Sequence, residues 1–573
     1  MGLATTTIDK FLGVNYRNAP ESLAQGEMMD SINVQCTDRQ NLRGIQTRYG
    51  LETWYTYSGG GIPDNAIYSM GYWRSIGQFI ISWGNILIAL KMQSGSAAVK
   101  TNLFTGSANP NVQFWTIAGP VLDSALNEFF VALPVYSQAA DPPKKISSAL
   151  AVSNWANSPP GSTITGTTPP RPIMAVWKGR LLIAQVENRP NRLFFSDRFN
   201  FESPAAKYGN NFIDFVDDSG GKPSAGGSDP VSGGITALIV HNDFLYVFKR
   251  NSFYRVYDSN TFANTLIGRP GCSFPYAVCS HTPNGRLYWL SEITGGLHSS
   301  DGVNPPVLES HALGLPDENP IGWGGANMLN YIYNAHVVSA PLENAVYVSY
   351  AGPQYPGSGD NDRLMEFIPR ADTGKGVWFP HEMKTAKLFV MPSQTHTVAS
   401  SLSRDQVLAT TAQGSSGYLK LLRWMKDPDL ARDDGADAGF TPFRHGFVVP
   451  VRQLDLPPEK KERLRRVNVV GQARGHTNQI TFSVTSLNDE NVVKVAAGTG
   501  ILVPTANFSQ AYDAPSTPGM VIQGGIEPLW PLVRFRPESR GRFHYIRLYS
   551  TGVNQSGMKI KKIEAVFRGG KEH

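Results

Sequence analysis

Short apolar and aromatic runs, each entered through a turn, recur along the chain. They read IGQFIISW from Ile76, LNEFFVAL from Leu126, WKGRLLIA from Trp177, HNDFLYVF from His241, NGRLYWL from Asn284, ENAVYVSY from Glu343 and RDQVLAT from Arg404. Gly, Asn or Asp takes the positive-φ position of a tight turn, and the β-branched and aromatic run that follows is a buried strand. Each copy therefore predicts half of a β-hairpin. The copies lie roughly 45–65 residues apart, the period of four-stranded propeller blades with variable loops rather than of a helical solenoid. The expected fold is all-β, with a β-propeller of about six to eight blades.

From about Phe443 the pattern changes to plain alternation through RHGFVVPVRQLDL, RRVNVVGQA, QITFSVTSL, GRFHYIRLYS and MKIKKIEAVF. Strands in succession with no helices between them predict an additional C-terminal antiparallel β-sandwich-like region. The chain thus divides into an N-terminal segment (residues 1–60), a propeller (61–440) and the sandwich-like part (441–573). The first segment combines strand-like DSINVQCTDRQNLRGIQTRYG with a short helix expected between Pro20 and Ile32, and it is expected to serve ring closure or subunit contacts. A second short helix is expected over Pro457 to Arg465.

Composition fits this outline. Among 573 residues, Gly 56, Pro 40 and 11% aromatics describe many turns between sheet faces rich in Tyr, Phe and Trp. SQAADPPKKISSA, NSPPGSTITGTTPPRP and DDSGGKPSAGGSDPVSGG bury too little apolar surface to offset ordering, so they read as mobile or partner-ordered loops. The net charge of +6 is spread along the chain, with one local exception. EKKERLRRVNVV gathers Lys460, Lys461, Arg463, Arg465 and Arg466, a solvated face that could also contact a partner or a DNA path.

Cys36, Cys272 and Cys279 are too few for a disulfide framework and match no common zinc spacing, so they are expected to be reduced thiols. MGLATTTIDKFLG lacks the apolar stretch of a secretory signal, and its Met-Gly start with Thr6 has no membrane-binding context to make it a myristoylation site. FIISWGNILIAL is broken by Ser82, Gly84 and Asn85 and reads as two strands, so no membrane insertion is expected and the chain should be made soluble in a reducing cytoplasm.

Candidate chemistry is sparse. TGKG, Thr373 to Gly376, has Pro369 where a phosphate loop needs its first glycine and Gly376 where it needs a hydroxyl residue. His381 and Glu382 lack the second histidine of a helical zinc face. Asp360 with Asp362, and Asp433, Asp434 with Asp437, make oxygen-rich loops without the closing glutamate of a calcium loop. No nucleophile elbow is present, and HSSDG at His298 to Gly302 reads as a hairpin turn. No catalytic residue, metal or cofactor is assigned, and the chain is not expected to be an enzyme.

The opening Lys10 to Gly50 resembles the start of tail-tube and nozzle proteins of short-tailed bacteriophages, through Gly13, Asn15, Arg17, Pro20, Leu23, Gly26, Glu27, Asp30, Asn33, Val34, Arg48 and Gly50. RPIMAVWKGRLLIAQVENRPNRLFFSDRFNFES and ITALIVHNDFLYVFKRNSFYRVY resemble two of their successive blades, the second closing at Phe248, Lys249 and Ser252. The resemblance implies a virion structural protein. Its expected state is a homohexameric ring below the portal and adaptor, forming the distal DNA-ejection channel and anchoring fibres or spikes. Its expected partners are head-to-tail adaptor proteins, the fibres or spikes, and DNA passing without sequence-specific binding. The alternative is a carbohydrate-directed propeller, a glycosidase or receptor-binding module, in which loop aromatics such as Trp155 and Tyr355 stack on sugars.

Both ends of the chain read as strands, and an open sheet edge invites aggregation. Residues near Leu12 to Tyr16, or Ile32 to Gln35, are therefore expected to pair with a strand distant in sequence. Deleting residues 1–40 should give insoluble protein; a soluble truncation with full β-sheet circular dichroism would refute the pairing.

Overall fold

The computed structural model describes residues 3–18, 22–57, 67–93, 96–106, 115–134, 141–155, 172–186, 190–202, 211–215, 234–272, 274–291, 293–313, 335–350, 361–370, 376–385, 388–391, 407–414, 417–424, 432–434, 440–442, 445–452, 462–474, 480–487, 493–495, 500–502, 532–535, 539–541, 543–549 and 557–568. Among them are seven four-stranded antiparallel sheets. Each of the seven sequence repeats enters or forms the second strand of one sheet, including the copy at Arg404, which leads into Val407–Gly414. The first strands of successive sheets are neighbours from Ile67–Trp73 through to Phe389–Met391, as the inner strands of a propeller must be.

The first six blades are each continuous in sequence. The first holds Ile67–Trp73, Gln78–Trp83, Ile86–Gln93 and Ser96–Thr105, and the sixth holds His336–Ala340, Ala345–Tyr350, Asn361–Ile368 and Val377–Thr385. The seventh is composite. Phe389–Met391, Val407–Gly414 and Gly417–Trp424 are completed by Leu51–Thr56, which pairs antiparallel with Gly417–Trp424 so that Tyr55 faces Leu421 and Leu51 faces Trp424. Trp54 then crosses to the first blade, its ring edge-on to Phe79 at 5.5 Å within an apolar cluster that also holds Ile67, Ile81, Trp83 and Leu421.

Blade faces stack through the residues that the repeats supply. Second strands are buried on both faces: QFIISW, RLLIA, FLYVFK and AVYVSY show near-continuous burial, which explains their apolar runs in place of alternation. Aromatic contacts bridge neighbouring blades, such as Trp289 against Phe248 at 5.3 Å and Tyr288 against Phe367 at 5.6 Å.

Apart from a small two-stranded sheet of Arg432–Asp434 and Phe440–Pro442, the remaining strands form two packed sheets built from both ends of the chain. One contains Leu3–Ile8, Val34–Asp38, Arg43–Thr47, Glu462–Arg474, Leu532–Phe535, Ser539–Gly541 and Gly557–Arg568; the other contains Asp30–Ile32, Gly446–Val451, Ile480–Leu487, Val493–Val495, Gly500–Leu502 and Phe543–Tyr549. Ile45, Val467, Ile563 and Phe567 from the first meet Phe447, Val449, Ile546 and Leu548 from the second in one core. All five sequence-predicted C-terminal strands are present, but the sandwich also takes strands from the first fifty residues.

Two local expectations are corrected. Ala24 to Ile32 is a turn and a strand, not a helix: Gly26 has φ +91 and a Cβ there would lie 2.3 Å from the Lys10 carbonyl, while Asp30–Ile32 pairs with Gly446–Val451. The distant pairing expected for Ile32 to Gln35 thus occurs at Asp30 to Ile32. Glu462 to Arg465 opens a thirteen-residue strand rather than ending a helix, because its register with Gly557–Arg568 buries Leu464 and Val467; residues 457–461 lie outside the described residues.

Trp54→Ala removes a buried indole from the junction where the propeller closes. It should lower unfolding stability by about 3–5 kcal/mol, read from urea midpoints; a loss below ~1 kcal/mol would show that the closing strand contributes little.

Candidate functional site

In four blades the last residue of the first strand reaches into the next blade. Trp73 Nε1 donates to Glu128 Oε2 at 2.8 Å, Trp177 Nε1 to the Asp243 carbonyl at 3.0 Å, His241 Nε2 to the Gly285 carbonyl at 3.0 Å and His281 Nε2 to Asn344 Oδ1 at 3.2 Å. The acceptors fix the tautomer. With Nε2 protonated, Nδ1 of His241 accepts from the Ser280 hydroxyl at 2.7 Å, and Nδ1 of His281 accepts from Ser339 at 2.8 Å. These clasps sit in the repeats themselves, as the Trp of WKGRLLIA and the His of HNDFLYVF. Sequence reading took the turn and strand of each copy and missed the side chain before them.

A second set of residues joins the N-terminal segment to the sixth blade. Gly13 has φ +72, and a Cβ on it would lie 2.6 Å from the backbone nitrogen and oxygen of Trp378, whose carbonyl accepts the Val14 N–H. Asn15 donates to Glu27 at 3.0 Å, and the other Glu27 oxygen takes the Ala24 N–H at 2.7 Å. Asn33, in the left-handed region at φ 54, accepts from Arg48 Nε at 2.8 Å and from the Glu382 N–H at 2.9 Å, while its own N–H goes to the Pro380 carbonyl. Arg48 is fully buried and also donates to the carbonyls of Tyr49 and Glu382.

At the tip of the Val34–Asp38 and Arg43–Thr47 hairpin, Arg39 enters a buried polar centre on the sixth blade. Its Nε donates to Glu366 at 2.6 Å, its guanidinium lies 3.4 Å from Glu343, and it donates to the Tyr347 hydroxyl at 3.2 Å. Tyr347 donates onward to Glu343 at 2.8 Å, and His381 Nε2 donates to the second Glu366 oxygen at 3.1 Å. Trp424 of the seventh blade stands edge-on to Tyr347 at 5.1 Å. Burial opposes the Glu366 charge, but Arg39 and His381 outweigh it and hold the carboxyl below its ordinary range; burial keeps His381 neutral. Burial pushes the Tyr347 hydroxyl and the Cys36 thiol up, so neither ionises. Glu366 and His381 have no exposed side-chain surface. Arg39 and Glu343 keep a little exposed surface, so the centre is a clamp between hairpin and propeller with its Glu366 and His381 end fully buried.

The basic run lies apart from this centre. Lys460 and Lys461 fall outside the described residues; Arg463, Arg465 and Arg466 lie on Glu462–Arg474, with Arg463 exposed and the other two half-buried. Of the acidic loops, Asp360 and Asp437 lie outside the described residues, as does Tyr355. Among the described residues no three His, Cys, Asp or Glu side chains gather as a metal site. Trp155 is 7% exposed and packs edge-on against Phe201 at 5.4 Å, so it is an interior residue and not a sugar-stacking platform. His381 was visible in sequence next to Glu382, but its partner is Glu366, fifteen residues upstream and one strand across. Nothing in the local sequence marks Arg39, Glu343 or Tyr347.

No protein-family model matches the chain, and no curated protein matches its sequence. Among solved structures, a virginiamycin B lyase from Staphylococcus aureus with quinupristin is similar at 9% identity and TM-score 0.37, over 66% of this chain and 100% of that one. PorZ, a surface component of the type-IX secretion system of Porphyromonas gingivalis, is similar at 10% identity and TM-score 0.31, over 73% of this chain and 44% of its own. Likenesses of this size carry no argument about activity. The propeller rests on the chain's own strand order.

Glu366→Leu leaves Arg39 buried beside one fewer carboxylate. It should cost about 3–5 kcal/mol of stability, and a loss under ~1 kcal/mol in urea unfolding would remove the clamp role. A pH dependence follows from the histidines. Burial lowers the pKa of His241, His281, His298 and His381, that of His298 to about 4. The unfolded chain, titrating near ~6.5, therefore takes up protons before the folded one. Stability is full above that pH and falls below it, for His298 by at most about 1.4 kcal/mol per pH unit until the folded pKa is reached. The urea midpoint should be lower at about pH 5 than at about pH 7.5; equal midpoints would mean these imidazoles are not held neutral.

Proposed function

We propose that this chain is a structural subunit of a short-tailed phage tail, forming a nozzle ring at the distal end of the DNA-ejection channel. The observation that carries the reading is where the residues of the opening resemblance lie. Gly13, Asn15, Gly26, Glu27, Asn33 and Arg48 make the contacts that thread the N-terminal segment through the sandwich and onto the sixth blade. The residues on which the resemblance rests are thus among those that hold this combination of propeller and two-ended sandwich together.

The physical character of the body supports the same reading. The Arg39 centre is neutralised internally by Glu366 and Glu343, with Glu366 and His381 fully buried, which suits a rigid scaffold. A propeller with short hairpins on one face and long polar connections offers broad surfaces to neighbouring copies, to adaptor proteins and to fibres or spikes. In this reading the protein is made in the host bacterial cytoplasm and resides in the virion tail, with no catalytic duty, and DNA passes without being read.

Light scattering of the purified chain over a concentration series tests this. A closed ring of about six subunits, alone or on addition of portal–adaptor complex, is expected. A monomer at every concentration that also ignores the connector, while binding or cleaving glycans, would overturn the reading in favour of a carbohydrate-directed propeller.

A further inference from the structure

Two adjacent lysines on the third strand of the second blade have unlike surroundings. That blade holds Trp115–Leu122, Glu128–Pro134, Lys144–Ser147 and Val152–Asn154. Lys145 gives its charge to Glu202, whose two carboxylate oxygens accept from Nζ at 2.8 and 2.7 Å. Lys144 is 6% exposed; its Nζ donates to the neutral amide oxygen of Asn154 at 2.7 Å and stands 4.1 Å from the centre of the Phe104 ring. Strand register places Asn154 directly opposite it. The amide carbon of Asn154, one bond beyond that oxygen, is therefore less than about 4 Å from Nζ. A nucleophile attacks from about 3–3.5 Å.

A buried carboxyl lies beside this pair. Asp141 is 1% exposed, and its charge acts on the Lys144 ammonium. Its Oδ2 is 3.3 Å, and Trp115 Cζ2 is 3.6 Å, from where a Cβ on Gly106 would stand, and Trp115 is edge-on to Phe104 at 5.5 Å. Amine and carboxyl thus share a recess walled by two aromatic rings, with the amide at its mouth. Burial lowers the Lys144 pKa, and the Asp141 charge opposes this only in part. A desolvated ammonium that donates to a neutral amide is costly to hold, and desolvation is what turns a lysine into a nucleophile. Asn154 is exposed, which gives a departing group a path to solvent.

We propose that Lys144 and Asn154 join in an intramolecular isopeptide cross-link, with Asp141 as the proton carrier. The ammonium passes one proton to the Asp141 carboxylate, and the neutral amine attacks Cγ of Asn154, forming the Nζ–Cγ bond. Asp141 then donates its proton to Nδ2 and takes a second one from Nζ as the Cγ–Nδ2 bond breaks. Ammonia leaves, and the remaining proton goes with it as ammonium. Nothing is oxidised or reduced, and the product is a neutral amide where a buried charge stood. The cross-link fastens Val152–Asn154, the short outermost strand, to Lys144–Ser147. The assignment does not depend on the tail reading, since the three residues belong to one blade of one chain.

The test is mass spectrometry of the purified full chain, intact and after trypsin. The wild-type chain should weigh one ammonia less than its sequence, and trypsin should leave a branched peptide in which tandem fragmentation joins Lys144 to Asn154. Lys144→Arg should restore the full sequence mass. Asp141→Asn should do the same, because the amine is left without its proton carrier; a cross-link formed in that variant at wild-type yield would overturn the role given to Asp141. A wild-type chain at full sequence mass, cleaved by trypsin after Lys144, would overturn the proposal. So would a missing ammonia that persists in Lys144→Arg, which would assign the loss to cyclisation at an asparagine. Where a variant fails to fold, the wild-type digest decides the matter alone. The oligomeric mass plays no part in this readout, so failure of the cross-link and failure of the tail reading are separate results.

Discussion

A ring of sheets has one seam, and this protein's other arrangements follow from how that seam is closed. If the seventh blade ended at Trp424 it would present an unpaired edge, and its packing against the first blade would lose Trp54 and Tyr55. Leu51–Thr56 pairs along Gly417–Trp424, and Trp54 from the same strand packs on Phe79 of the first blade. One strand thus caps an edge and spans the junction. The cost of joining residues this distant in sequence grows only logarithmically with the intervening length, so a long chain can close in this way. Folding must wait for that non-local contact.

Closure with an early strand commits everything before it. The first fifty residues are held beside the propeller by Leu51, and they cannot bury their apolar faces alone. They find partners in the C-terminal strands, which leave the ring at the same place. Leu3–Ile8 pairs along Gly557–Arg568, and Asp30–Ile32 along Gly446–Val451. The sandwich is therefore a second closure, made from the two ends that the first brings together.

The Arg39 centre stands where these two closures meet the sixth blade. A buried arginine is costly to desolvate, and the cost is offset here by Glu366, Glu343 and the Tyr347 hydroxyl, with His381 satisfying the remaining Glu366 oxygen. The interblade clasps work on a smaller scale, setting neutral imidazoles and indoles against carboxylate, carbonyl and amide acceptors in the next blade. Clamp and clasps both resist relative movement of parts.

The repeats, the strand character of residues 441–573 and the turn at HSSDG were legible in the amino-acid sequence, because a buried strand needs apolar residues in a run and a tight turn needs Gly, Asn or Asp. Spacing alone bounded the blade number, and seven repeats correspond to seven four-stranded sheets among the described residues. Segment by segment, the helix expected before Ile32 failed because Gly26 and the Gly446–Val451 strand impose a turn and a pairing that local propensity does not register. Tertiary structure alone decided that Leu51–Thr56 belongs to the last blade, that Arg39 meets Glu366 and that Lys144 lies opposite Asn154. Those contacts join residues from opposite ends of the chain or across strand register, and a periodic local pattern contains no term for which strand will lie beside which.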